Sequence, residues 1–117
     1  MLNVKSFSFN PFQVNTFVIY NDKKEGLIVD AACYEENEFF MLKAFVEENQ
    51  LNPIMLINTH GHVDHLTGIK RLKEEYNLPF LLHQKDEFLL EGAVDHGRVF
   101  GLETEKPPVP DKYLTEE

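Results

Sequence analysis

The chain has 117 residues, 43% of them hydrophobic, which suits one domain or a piece of one. Its 20 acidic and 11 basic residues leave a formal charge of −9, which excludes a phosphate-backbone binder and a protein docking on an anionic membrane surface, so neither a nucleic-acid nor a membrane partner is expected. Ten Phe need burial, which excludes a disordered acidic tail. No apolar run reaches the roughly 18–20 residues that cross a bilayer. The start, Met1-Leu2-Asn3-Val4-Lys5, lacks a basic segment followed by an apolar one, and the single Cys33 leaves no internal disulfide. A cytoplasmic address is the expectation.

Taken in chain order, Leu2 to Phe9 alternates as a strand with a register shift or bulge near Lys5-Ser6. Asn10-Pro11 breaks it, and the β-branched and aromatic run Val14 to Tyr20 is a second strand. Asn21 to Gly26 is a polar hairpin loop closed by its glycine, and Leu27 to Asp30 is a short buried strand ending in a carboxylate. Tyr34 to Gln50 predicts a helix, with Phe39, Leu42, Phe45, Val46 and Leu51 on one stripe and Glu35, Glu36 and Glu38 at its positive end. Pro53 to Asn58 is an apolar strand of the kind covered on both faces. Thr59 to His65 is a polar connection. Leu66 to Tyr76 is a helix that Asn77 can close in a left-handed conformation. Pro79 to His83 is a strand, and Gln84 to about Val99 a helix interrupted near Gly92 or Gly97. Residues 1–100 thus make an α/β (α+β) layer structure, and 101–117, with Pro107, Pro108 and Pro110 among charges, a Pro-rich arm or linker whose end resembles the entry to a strand.

The chemistry concentrates in Thr59-His60-Gly61-His62-Val63-Asp64-His65, which holds three of the five histidines. Imidazole nitrogens suit zinc, iron and other borderline metals, and Asp64 adds a hard oxygen. An extended backbone points His60 and His62 the same way, and Gly61 permits a tight path between them. Asp64 and His65 follow after the chain turns, so one bend could serve two neighbouring metal positions. The bend also joins the carboxyl end of a strand to a helix, where α/β sheets bind ligands. The plain alternative is a solvated loop with coincidental histidines, which this density and position disfavour. Asp30 reads equally as a strand-ending turn residue. His83 reads as a packed residue, His96 as a surface one, and Cys33 as a small buried one.

The motif His-x-His-x-Asp-His at His60, His62, Asp64 and His65 resembles the signature of the metallo-β-lactamase superfamily, with the glyoxalase II-like (hydroxyacylglutathione hydrolase) branch as the nearest pattern. Asn15-Thr16-Phe17-Val18-Ile19, the Ile28-Val29-Asp30 strand end and Gly68 support it. The resemblance implies half of an αββα sandwich, a mixed sheet with helices on one face. It implies His60 and His62 as ligands of a first metal, and Asp64 and His65 as ligands of a second. Asp64 doubles as the catalytic residue that orients the attacking water, and Asp30 orients the site by hydrogen bonding. Where the family has Pro or Thr then Gly after that aspartate, this chain has Ala31-Ala32. The expected cofactor is one or two zinc ions, with iron or manganese as alternatives. The expected substrate is a small acyl thioester such as an acyl-glutathione.

Superfamily domains are about twice this size, and the absent half normally brings further ligands. Three readings follow: the amino-terminal half of a longer hydrolase; a homodimer through the exposed sheet face; or a catalytically inactive half-domain that binds metal weakly or not at all.

Overall fold

Six strands in sequence order, β1 (Asn3–Phe9), β2 (Val14–Tyr20), β3 (Glu25–Val29), β4 (Asn52–Asn58), β5 (Phe80–His83) and β6 (Lys112–Leu114), form one mixed sheet in a computed structural model of the chain. The structure describes residues 2–59, 65–83, 89, 92–99, 101–102, 108 and 110–114. The first three strands pair antiparallel, as short hairpin connections require. From β3 onward the pairs are parallel, and each needs a crossover. Helices α1 (Glu36–Glu48), α2 (Ile69–Tyr76) and α3 (Ala93–Val99) lie in those crossovers. Right-handed crossovers between successive neighbouring strands put the helices on one face of the sheet.

Burial alternates accordingly. Phe9, Val18, Ile28, Leu56, Phe80 and Leu82 on the covered face are almost fully buried, in one cluster with Phe39, Leu42 and Val46 of α1 and Ile69 and Leu72 of α2. Phe45 of α1 packs edge-on against Phe7 and Tyr20, with ring centroids 5.8 and 6.0 Å apart. The alternate positions Phe17, Ile19, Leu27, Val29, Met55, Ile57 and Leu81 are only half-buried. They form a continuous apolar face that no helix among the described residues covers. β4 is therefore buried on one face rather than the two that its apolar run suggests.

Several boundaries differ from the sequence pattern. The bulge expected near Lys5-Ser6 is absent, since β1 pairs with β2 in unbroken register from Asn3↔Tyr20 to Phe9↔Val14. Val4 instead sits on the open face, 62% exposed, while Lys5 holds its ammonium 5.5 Å from the Phe7 ring centre. The register shift falls between Gly26 and Leu27, opposite β4. Gly26 lies inside β3, and the left-handed turn residue is Lys24, at φ 68°. α1 begins two residues and α2 three residues later than their patterns suggest, and Asn77 closes α2 at φ 54°. Of the two breaks expected in the last helix, the turn falls at Gly92 and α3 runs through Gly97, while 84–88 and 90–91 lie outside the described residues. Within 101–117, read as an arm, Leu102 is fully buried and β6 adds a strand beside β5. Asp111 anchors that edge: its carboxylate pairs with Lys73 and accepts the Phe80 N–H at 2.8 Å, while its own N–H donates to Phe80 O at 2.8 Å.

Two outcomes test these contacts. A Cβ at Gly68 would collide with Cys33 Sγ and press on Ala31 O at 3.0 Å. Gly68→Ala should therefore cost about 1–3 kcal/mol in urea unfolding through overpacking. The Lys73 ammonium, then the Phe80 N–H, hold the Asp111 carboxyl below its ordinary value of 3.8. A depressed folded value stabilises above the unfolded one and is lost as pH falls through the folded one. Asp111→Asn should thus unfold more easily at about pH 7 and lose less stability than the natural chain on acidification to about pH 3.

Candidate metal centre

Parallel pairing brings the carboxyl ends of β3, β4 and β5 to one edge of the sheet, where Asp30, Thr59 and His83 follow or close their strands. Asp30 is 4% exposed and lies at φ 54°, a left-handed conformation that aspartate tolerates better than most residues. All of its polar groups are engaged. Its N–H donates to Ile57 O at 2.9 Å, and its carbonyl accepts the Thr16 hydroxyl at 2.6 Å. The carboxylate grips Thr59 with both oxygens: Oδ1 accepts the Thr59 N–H at 2.7 Å and Oδ2 the Thr59 hydroxyl at 2.5 Å. His65 Nδ1 lies 3.6 Å from the same Oδ2, an electrostatic contact just beyond direct hydrogen-bond length. Burial pushes the Asp30 carboxyl up, but His65 and the two Thr59 donors outweigh it and hold it below the ordinary aspartate value.

One carboxylate thus braces both ends of the predicted metal-binding bend, Thr59 at its start and His65 at its close. Asn58 adds a second brace, its Nδ2 donating to His65 O at 2.7 Å. Behind Asp30 the chain is pinned from several sides. Ala32 O accepts the Thr67 hydroxyl at 2.8 Å and Asn10 Nδ2 at 3.3 Å, and Gly68 N–H donates to Ala31 O at 2.8 Å. Glu38 of α1 takes the N–H groups of Asn10 and Tyr34, each at 2.9 Å. Ala31 and Ala32 are fully buried here, so the departure from the family's usual residues leaves a close-packed turn. Burial pushes the Cys33 thiol up to about 12, which makes it a protonated packing residue.

Of the predicted site residues, Asp30 and His65 come together. His60, His62 and Asp64 lie outside the described residues, as do the side chains of His83 and His96. Among the described residues no three His, Cys, Asp or Glu side chains gather as a metal site. The pair that is described fits a metal centre chemically. An imidazole with Nδ1 directed at a carboxylate presents Nε2 to a cation, and the carboxylate raises its basicity. Thr16 and Thr59 stand in the quoted motifs without a role of their own, and Asn58 reads only as the end of a strand. A signal existed for two of them: Thr16 and Asn58 are polar residues at core-facing positions of apolar strands, where each must find a partner.

The family model for the metallo-beta-lactamase superfamily matches residues 9–117. The chain belongs to that superfamily. Hydroxyacylglutathione hydrolase GloC of Haemophilus influenzae is 30% identical over 117 residues, which are 99% of this chain and 53% of GloC. The structure of BLEG-1 B3 metallo-beta-lactamase superposes with a TM-score of 0.80 at 31% identity, over 98% of this chain and 54% of that one. That of TTHA1623 in a di-iron-bound form gives 0.82 at 31% identity, over 96% and 54%. The chain spans about half the length of the relatives it matches, and its fold is half of a metallo-beta-lactamase sandwich. No helix among the described residues is long and apolar enough to cross a membrane.

In this setting Asp30→Ala should lower stability by about 1–3 kcal/mol in urea unfolding, because Thr59 loses both acceptors and alanine disfavours the left-handed backbone. Asp30→Asn, which tolerates that conformation and keeps one acceptor oxygen, should cost less.

Proposed function

We propose that the chain is the amino-terminal half of a metal-dependent hydrolase of the glyoxalase II-like branch, acting on small acyl thioesters with zinc, or with iron or manganese in its place. The observation that carries this reading is the Asp30 carboxylate bracing Thr59, just before the His-x-His-x-Asp-His motif, and His65, its last residue. Bound there, a divalent cation supplies Lewis acidity toward a carbonyl and toward a water. His60 and His62 are assigned to one cation, and Asp64 and His65 to a second. Asp64 also orients the attacking water. Asp30 fixes the orientation of His65 and, through Thr59, the start of the bend. Thioesters are favoured because GloC is named a hydroxyacylglutathione hydrolase, and iron enters because TTHA1623 was solved with two iron ions.

The open apolar face sets the partner. Its half-buried aromatic and aliphatic side chains, Phe17, Ile19, Leu27, Val29, Met55, Ile57 and Leu81, run across four neighbouring strands and form an apolar surface of the kind that drives association. We assign that face, in the chain as given, to a second copy of itself. A second reading, an inactive half-domain that binds metal weakly or not at all, is favoured by one observation: the chain covers about half of its relatives. Elemental analysis of the purified chain and an assay on an acyl-glutathione thioester separate the two. The hydrolase reading expects about two cations per site and turnover lost in His60→Ala and Asp64→Ala. A metal-poor chain with turnover equal to buffer would favour the inactive half-domain. Light scattering expects a dimer at micromolar concentration, and a stable monomer would contradict the self-association.

A further inference from the structure

We infer that Thr16, on β2, is a positioning residue for the metal-binding bend, acting through Asp30; the inference rests on the proposal that this bend holds cations. Thr16 is fully buried and sits on the covered face between Val14 and Val18, where a valine would pack as well. A hydroxyl in that position is costly unless both its hydrogen-bonding roles are filled. They are filled by the two residues that flank Ala31. Thr16 Oγ1 donates to Asp30 O at 2.6 Å and accepts the Ala32 N–H at 3.0 Å.

That bridge spans the one turn in which Asp30 adopts φ 54°. An aspartate left to itself favours extended or right-handed backbone, which would aim the carboxylate elsewhere. Held left-handed, it reaches Thr59 Oγ1 at 2.5 Å and lies 3.6 Å from His65 Nδ1. Thr67, Asn10 and Gly68 brace the same turn through Ala31 and Ala32. Among the described contacts only Thr16 joins the Asp30 carbonyl to the far side of the turn. The order of dependence is therefore Thr16 hydroxyl, Asp30 backbone, Asp30 carboxylate, then Thr59 and His65. Thr16 touches neither substrate nor cation in this scheme.

The test compares Thr16→Val, which keeps the shape and removes the hydroxyl, with Thr16→Ser, which keeps the hydroxyl. Nuclear magnetic resonance of the cation-free full chain reports the Thr59 amide proton and the His65 imidazole nitrogens, and a zinc titration follows. Thr16→Val should fold, shift the Thr59 amide upfield, displace the His65 nitrogens, and bind zinc about 10- to 100-fold more weakly. Thr16→Ser should restore all three. A folded Thr16→Val with both reporters at their natural positions overturns the inference. Should Thr16→Val not fold, Thr16→Ser decides: natural reporter positions support the hydroxyl, and displaced ones overturn it in favour of methyl packing. Reporters that move in Thr16→Val while even the natural chain takes up no zinc uphold the positioning role and sink the metal reading.

Discussion

A carboxylate buried at the end of a strand must find donors, and Asp30 finds them just beyond the end of the next strand in the sheet. Thr59 supplies two, its N–H and its hydroxyl, and His65 approaches the same oxygen. An unpaired buried anion would cost several kcal/mol or take up a proton, so the fold is stable only if β3, β4 and the entry to α2 arrive together at this point. The left-handed backbone at Asp30 adds a smaller cost that the pinned turn behind it must offset. The edge of the sheet is thereby organised around an anion before any cation is considered. Such an anion is the environment a ligating histidine needs to keep its tautomer and orientation.

The same layering that builds the edge leaves the sheet one-sided. Three crossovers in a row place their helices on one face and give a thin slab with an apolar back. In the superfamily's αββα sandwich a second sheet meets such a back, and the relatives are about twice as long. The covered face and the site edge belong to this half and are built from its own contacts. Completion of a ligand set and burial of the open face are both tasks that a further sheet would share.

Much of this was legible in the sequence because alternation and helical spacing report burial directly. Phe39, Leu42 and Val46 marked the buried stripe of α1, and Asn77 marked the end of α2. The His-x-His-x-Asp-His spacing pointed to the edge at which Asp30 and His65 meet. What failed was one-dimensional inference about two-dimensional pairing. Val4 looked like a core residue out of phase, whereas it faces outward on the open side of an unbroken ladder. Gly26 looked like the turn residue, whereas Lys24 takes the left-handed position. The end of 101–117 was legible as the entry to a strand, but its place beside β5 was not, since the Lys73–Asp111 contact there joins residues far apart in sequence. The roles of Thr16, Asn58 and Thr59 were not legible for the same reason, since their partners lie at least seven residues away.

Hydrogen exchange at the Thr59 amide measures the Asp30 clamp most directly. Thr59 lies beyond the end of β4 on an exposed residue, so the sheet ladder does not protect it and the Asp30 carboxylate does. The clamp predicts protection approaching that of the central strands in the cation-free chain. Exchange at the rate of an unstructured loop would mean that Asp30 does not hold this edge, and the preorganised metal centre would fall with it.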